Sequence, residues 1–581
     1  MPWKQWLGAT PQGSATHFRV WAPKAQALEV RIQGGPAQAL QRDADGYFTG
    51  LVQGVRAGAR YLYRFPDGRE RPDPASLLQP EGVHGPSEVV DLAALTPRTR
   101  QPFTPLEKLV FSEIHLGTFT PQGTAQAAAE RMPALADALF TAVEVMPVAA
   151  FPGARNWGYD GVFLFAAHAA YGGPAGLSRL VEAAHQAGLR AFLDVVYNHL
   201  GPEGNYLGEF GPYFTAKHKT PWGDALDFSL APVRRYFVEN ALRWVAAAGA
   251  SFDGLRLDAV HGIVDDSPVH ILKEIADAVR AEAVETGRTL HVIAESDLND
   301  PALIERDRLD GSWADELHHA LHVALTGETQ GYYADFAPPH QDPMQALLEA
   351  LHKGWHYGGI FKPGFGKVHG APAQHLPARH FVVAAQNHDQ IGNRARGERL
   401  TALTDEGGLK AAAALIALQP ALPLYFQGEE WGAREPFQYF VSHGDPALVE
   451  AVRKGRHEEF KGFAWDDVPD PQAEETFLRS KLDWSRRTES ALRWHKALLT
   501  LRREHPSLQD DARASVQASA QGKTLLLQRG KVLLVARLDD SREPVRLPPG
   551  RFRVLLDSGG AHLTAGLLRL EGRGAVVLEG W

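Results

Sequence analysis

The sequence predicts a multidomain protein with a central (β/α)8 TIM-type barrel, flanked by an N-terminal and a C-terminal β-sandwich. Three observations carry this. From about residue 105, apolar runs of strand length alternate with amphipathic helical stretches, and a count of about eight favours a closed parallel barrel over an open sheet. A doubly wound sheet would normally advertise a Gly-rich phosphate turn, and the chain has no G-x-G-x-x-G and no P-loop. At both ends, short runs of period two are separated by Gly, Pro and Asp, as in sandwich sheets. The expected domains are residues 1–95 (an immunoglobulin-like sandwich of carbohydrate-binding type), 96–505 (the barrel) and 506–581 (the second sandwich). A chain of 581 residues exceeds what one core supports, and 44% hydrophobic residues suffice for several.

In chain order, Thr16-His17-Phe18-Arg19-Val20-Trp21, Leu28 to Ile32 and Tyr61 to Phe65 alternate as sandwich strands. A Pro-rich passage with Arg71-Pro72-Asp73-Pro74 follows and reads as an ordered linker, because apolar residues interrupt it. The barrel pattern then begins with the strand Leu109 to His115, an Ala-rich helix from about Thr124 to Leu139, and the strand Ala142 to Pro147. A helix near Leu177 to Ala187 leads to the strand Ala191 to His199, and a helix near Val233 to Ala248 leads to Gly254-Leu255-Arg256-Leu257-Asp258. A helix near Pro268 to Glu285 precedes Leu290 to Glu295, and Phe381 to Asp389 and Pro423 to Gly428 complete the strands found. The Gly-, Pro- and aromatic-rich segment from about Leu200 to Leu230 is expected to form a small lid-like excursion. After a helix near Ala491 to Arg503, Val532 to Arg537 and Arg553 to Asp557 resume the alternation.

Composition excludes several function classes. Without cysteine there is no disulfide framework, thiolate metal site or cysteine nucleophile, which suits a reducing cytoplasm. The first residues lack the apolar core of a signal peptide and no apolar run is long enough to cross a membrane, so the expectation is a soluble cytoplasmic protein with no membrane contact. A net charge of −9, with acids and bases interspersed, argues against nucleic acid as a partner. Thirteen Trp and fourteen Tyr supply flat apolar faces, on which sugar rings also stack.

The chemistry is expected at the strand ends, where barrels build their sites. Asp258, Glu295 and Asp389 each end a strand with a carboxylate. Two of them could flank a glycosidic bond at the roughly 5 to 5.5 Å separation of a retaining glycosidase, one as nucleophile and one as proton donor. Arg256, two residues before Asp258 on the same face, would keep it ionised, and the apolar run before Glu295 would raise that residue's pKa toward a useful acid. His115, His199 and His388 also fall at strand ends, where neutral imidazoles could donate to sugar hydroxyls. Asp194 and Asn198 are expected only to hydrogen-bond their own loop. No H-x-x-x-H or H-E-x-x-H pair is formed by these histidines, so neither a metal nor any other cofactor is expected.

Asp194-Val195-Val196-Tyr197-Asn198-His199, Gly254 to Asp258, Ile293-Ala294-Glu295 and Asn387-His388-Asp389 together resemble the four ordered signature regions of the α-amylase superfamily of glycoside hydrolases. That resemblance implies Asp258 as nucleophile, Glu295 as general acid/base and Asp389 as the stabiliser of the distorted sugar. It also implies sugar contacts from Arg256, His199 and His388, with Tyr159 stacking beneath the ring. Within the superfamily, stretches outside the catalytic motifs resemble the maltooligosyltrehalose trehalohydrolase family. They include Asp73-Pro74-Ala75-Ser76, Glu113 to Thr120, Asn198 to Tyr206, Glu295 to Asp300, Gln386 to Arg394 and Gly428-Glu429-Glu430-Trp431. The likeness spans nearly the whole chain. It implies hydrolysis of the α-1,4 bond next to the terminal trehalose of maltooligosyltrehalose, functional pairing with a maltooligosyltrehalose synthase, and a sugar-binding place for Gln386. Where typical α-amylases carry Lys-His after the nucleophile, this chain has His261-Gly262, so the lysine contact must pass to other groups. The short excursion leaves little with which to build the calcium site of many amylases, and no metal is expected. His261, Asp315, His318 and His319, on the leaving-group side, are the expected readers of trehalose. A glucan branching or debranching enzyme is the competing reading within the fold, and a non-catalytic glucan-binding protein is the competing reading outside enzymes.

Overall fold

The computed structural model describes residues 1–581 except 36, 100, 102, 221–222 and 461–467, and 565, and for residues 459 and 460 the backbone alone. Eight parallel strands close into a barrel: Phe111–Ile114, Ala142–Val145, Arg190–Val196, Gly254–Asp258, His291–Ala294, Gly311–Trp313, Phe381–Ala384 and Leu422–Phe426. The first pairs with the last, Phe111 beside Leu424, which seals the sheet. Nearly every strand residue is buried, as expected of strands covered by helices outside and packed side chains within. The sequence reading found seven of these strands. The sixth, Gly311–Trp313, is three residues long and too short to show a period.

Alternation along the strands sorts the barrel interior into two layers. Phe111, Ala142, Phe192, Ile293, Trp313, Val382, Leu422 and Leu424 form one apolar plug, with Phe111 edge-on to Phe192 at 5.0 Å. Two residues further along the first, second, third and fifth strands the same inward positions carry Glu113, Glu144, Asp194 and Glu295, and two positions of the fourth strand carry Arg256 and Asp258. The charged layer therefore rests on the plug, at the C-terminal end of the strands. Gly254 is the level of the fourth strand at which no side chain fits. A Cβ there would lie 2.2 Å from the Phe192 ring and 2.7 Å from the His291 carbonyl oxygen. Gly254→Ala is expected to cost about 1 to 3 kcal/mol by overpacking, read as a lowered unfolding temperature; an unchanged transition would mean that the ring yields freely.

Helices Gly173–Gln186, Ala231–Val245, Ile271–Thr286, Glu316–Thr326, Pro343–Lys353, Glu406–Leu418 and Glu489–Glu504 lie around the sheet. The helix expected from Thr124 to Leu139 is instead two short ones, Ala125–Ala129 and Met132–Asp137, the second opening with Pro133 in its first turn. Before the barrel stand two sheets. One is built from Gly8–Gln12, Ala15–Trp21, Tyr47–Gln53 and Gln41–Arg42, the other from Ala37–Ala39, Glu29–Ile32, Arg60–Arg64 and Glu70–Arg71, with Ser87–Glu88 paired to the third of these. After the barrel come a five-stranded sheet, from Val516–Gln521 to Gly574–Gly580, and a three-stranded one.

The Pro-rich linker is ordered by its own carboxylate. Asp73 is buried and accepts from the Tyr61 hydroxyl at 2.7 Å, the Tyr63 hydroxyl at 3.2 Å and the Ala75 amide at 2.8 Å. The excursion after the third strand holds a helical turn, Leu207–Phe210, and a hairpin of Phe214–Thr220 with Gly223–Leu226. Phe210 packs edge-on to Phe65 and Tyr63, Tyr213 to Trp21, and Glu209 pairs with Arg71 at 2.9 Å, so the base of the excursion is bonded to the N-terminal sheets.

Candidate active site

Strand register brings the charged residues together. Asp194, Arg256 and Ile293 stand side by side on the third, fourth and fifth strands, and the Glu295 amide donates to the Leu257 carbonyl at 2.9 Å, so Asp258 and Glu295 end adjacent strands. The fully buried Arg256 guanidinium is shared among three carboxylates, with Asp194 at 2.6 Å, Asp258 at 2.9 Å and Glu295 at 3.8 Å. The Trp313 ring covers its other side at 4.2 Å from the guanidinium carbon. Asn198 donates to the second Asp258 oxygen at 3.0 Å and to the Asp258 carbonyl at 3.2 Å. After Asp258 the backbone turns left-handed at Ala259 (φ 38°), which aims the Ala259 amide at a Glu295 carboxyl oxygen.

Glu295 is pushed up to about 8, mainly by burial and then by Asp258, Asp389 and Asp315, against the pull of Arg256. A carboxylic acid is thus available at neutral pH beside a carboxylate whose lone pairs face two donors. Asp389 stands in the first turn of the short helix His388–Gly392. The sequence Asn387-His388-Asp389-Gln390 is a reciprocal capping box: the Asn387 side chain accepts from the Gln390 amide at 3.4 Å, and the Gln390 side chain accepts from the Asn387 amide at 2.8 Å, while the Asp389 amide also donates to Asn387 at 2.9 Å. The box fixes the turn while the Asp389 side chain stays 44% exposed, the most open of the three acids.

Beside Asp389 opens a cleft of about 680 Å³, lined among others by Asp297, Asp315, His319, Tyr332, Lys362 and Phe365. Two of the expected trehalose readers, Asp315 and His319, are on its wall. Asp315 rises to about 6 through burial and the charge of Asp389, and accepts from Gln390 at 3.3 Å. His319 is held to about 3 by burial, so its ring is neutral. His261 is exposed and lies 3.5 Å from Asp297 of the same wall. His318 is a correction. It is buried, and its two ring nitrogens are occupied by the Ala385 carbonyl at 2.6 Å and the Tyr333 hydroxyl at 3.0 Å, which makes it a packing residue inside the helix Glu316–Thr326. Gln386 is another. It lies two residues past its strand, accepts from the Leu400 amide at 2.9 Å and bonds the Glu429 carboxyl, so its side chain is taken up away from the three acids.

Around the other side of Arg256, Tyr159 donates to Asp194 at 2.7 Å and meets His388 Nε2 at 2.8 Å. His199 reaches the Tyr159 carbonyl at 2.9 Å through Nε2 and the Asn198 side-chain oxygen through Nδ1, so it braces the Tyr159 loop. Asp194 and Asn198, expected to serve only their loop, contact Arg256, Tyr159 and Asp258 instead. His388, expected neutral, faces the Glu113 and Asp389 carboxylates, which outweigh the lowering by burial and raise it to about 9. His115 goes the other way, to about 3 by burial, with its Nε2 on the Asn156 carbonyl at 2.9 Å. Glu113 itself was not singled out from sequence; its signal is a carboxylate at an inward strand position, two residues past the apolar plug. Among the described residues no group of three or more His, Cys, Asp or Glu is arranged to hold a metal, and no helix is long and apolar enough to cross a membrane.

Residues 111–224 match the family described as alpha amylase, catalytic domain. The chain is 42% identical to the malto-oligosyltrehalose trehalohydrolase of Saccharolobus solfataricus over 84% of its length and 85% of that protein, and 42% identical to the enzyme of the same name from Arthrobacter ramosus over 97% and 99%. A crystal structure from Salmonella typhimurium, provisionally assigned as an alpha amylase, superposes with a TM-score of 0.92 at 38% identity, covering 99% of this chain and 100% of that one. At this identity, sustained through the barrel and both flanking sheet regions, the chain belongs to the malto-oligosyltrehalose trehalohydrolase family of the alpha-amylase superfamily.

Proposed function

We propose that this chain hydrolyses the α-1,4 bond next to the terminal trehalose of maltooligosyltrehalose, with retention, at the barrel mouth. Asp258 attacks the anomeric carbon, the bond to the trehalose oxygen breaks, and Glu295 gives its proton to that oxygen. Glu295, now a carboxylate, takes a proton from a water whose oxygen displaces Asp258 and completes hydrolysis. Asp389 binds hydroxyls of the distorted sugar, with Arg256, Tyr159 and His388 around the same ring. The observation that carries the reading is the Arg256 cluster: one guanidinium within 2.6 to 3.8 Å of Asp194, Asp258 and Glu295, in a setting whose burial pushes Glu295 up to about 8. No binding protein needs such an acid beside a donor-bonded carboxylate. Maltotriosyltrehalose should yield trehalose and maltotriose in equal amounts, whereas amylopectin should be neither branched nor debranched. Release of maltose or glucose in place of trehalose would overturn the reading.

The cleft beside Asp389 is the side from which trehalose departs. Trehalose joins two glucoses through both anomeric carbons and bends differently from maltose, so the wall must read that bend through Asp315, His319 and His261. A plain malto-oligosaccharide leaves buried donors and acceptors unmatched, at about 1 to 3 kcal/mol each. His319→Ala and Asp315→Asn are therefore expected to lower the ratio of kcat/KM for maltotriosyltrehalose to that for maltopentaose by about tenfold or more. An unchanged ratio in both variants removes this wall from recognition. The substrate requires an enzyme that converts the reducing end of a malto-oligosaccharide to a trehalose unit, and we assign functional pairing with a maltooligosyltrehalose synthase in the cytoplasm. A chain without cysteine has no need of an oxidising compartment.

A further inference from the structure

Beneath the mouth, a hydrogen-bond count fixes protons that the reaction itself does not call upon. The Tyr159 hydroxyl has one hydrogen and gives it to Asp194 at 2.7 Å. It can therefore only accept from its other two neighbours, Arg256 at 3.4 Å and His388 Nε2 at 2.8 Å, and Nε2 must carry a hydrogen. The opposite nitrogen, Nδ1, faces the Glu113 Oε1 atom, and the second Glu113 oxygen accepts from the His388 amide at 3.1 Å. One carboxylate thus clamps both the ring and the backbone of the residue before Asp389, with Glu113 and His388 each 1% exposed. A further proton lies between Nδ1 and Oε1, and the surrounding charges decide which of the two owns it.

We propose that Glu113 is a positioning residue that holds His388 as a doubly protonated imidazolium, so that Tyr159, Asp389 and the sugar above them meet a fixed cation. The groups facing His388 favour that assignment. Asp389 lies 3.4 Å from Nε2, and Asp194 and Asp315 add negative charge from the third strand and from the start of the helix Glu316–Thr326. Glu144 on the second strand, beside Glu113 in register, is driven well above the ordinary carboxyl range by burial and by Glu113, so it is neutral and adds no charge. Arg256 opposes, but its charge is spent on Asp194 and Asp258; His115 is neutral. The ring of His388 also lies nearly parallel to Tyr159, at 22° and 5.4 Å between centroids, so turning the imidazole would move the platform expected under the sugar. The balance leaves Glu113 and His388 as an internally neutral pair, which leaves Arg256 to Asp194 and Asp258.

The proposal rests on the barrel mouth being the active site, and its test has an arm that does not. Histidine labelled with ¹³C at Cε1 in the wild-type protein, with His388→Asn to assign the signal, reports the charge of His388 directly. The expected result is an imidazolium through pH 8 in the wild type, and in Glu113→Gln a ring already neutral at pH 7. A neutral His388 at pH 7 in the wild type, or the same titration in both proteins, overturns the proposal whatever the activity. If Glu113→Gln does not fold, the wild-type titration alone decides. In kinetics, Glu113→Gln should lose on the order of tenfold in kcat at pH 7 with a smaller change in KM, and recover toward wild type near pH 5, where the ring is charged again. Glu113→Asp, which keeps the charge, should retain the wild-type profile shape. A loss independent of pH would mean that Glu113 only props the fold, and would overturn the positioning role.

Discussion

Asp258→Asn is expected to reduce turnover of maltooligosyltrehalose by about 10⁴-fold or more while leaving the barrel folded, because an amide cannot form the glycosyl ester and nothing else at the mouth stands in its place. The substitution keeps the shape that Asn198 and Arg256 contact at 3.0 and 2.9 Å, so an effect through misfolding is minimised. Steady-state trehalose release, with the unfolding temperature as control, reads the result. Activity within tenfold of wild type would remove Asp258 from the nucleophile's role.

Glu295→Gln carries the second-largest expectation, a fall of roughly 10²- to 10⁴-fold for a natural leaving group. The pH dependence is the sharper readout. As the acid, Glu295 must be protonated, and burial with its carboxylate neighbours keeps it so up to about 8. The wild-type rate should therefore fall as pH rises through that value. In the glutamine variant the residual activity should no longer follow that limb; a residual rate that still drops near pH 8 would assign the limb, and the proton, to another group.

Much of this site was legible in the sequence, and the reasons are physical. Continuous apolar strands announce a barrel, and a barrel dictates that Asp258 and Glu295, at strand ends, converge; Asp389, expected to end a strand as well, stands instead in the first turn of the helix that follows one. The sixth strand escaped because three residues cannot display a period, although it delivers Trp313 onto Arg256. The partners of Asp194, Tyr159 and Glu113 were hidden for another reason: each bond spans dozens to hundreds of residues of chain, and only strand register determines which inward side chains share a level. The same limit misplaced His318 and Gln386. Both sit beside residues of the site, yet helix phase carries His318 into packing, and Gln386, two residues past the end of its strand, is taken up by the Leu400 amide.

The sharing of Arg256 constrains how the family can change over generations. Asp194 lies 2% exposed with its charge answered by this guanidinium, so losing Arg256 first would strand a buried anion, a lesion that typically costs about 3 to 5 kcal/mol. Losing Asp194 first would instead leave a guanidinium still answered by the Asp258 carboxylate at 2.9 Å. A lineage drifting toward a silent, sugar-holding descendant thus has a preferred order of steps, with Asp194 replaced before Arg256. A homologue that retained the aspartate without the arginine would need a compensating cation elsewhere in the barrel.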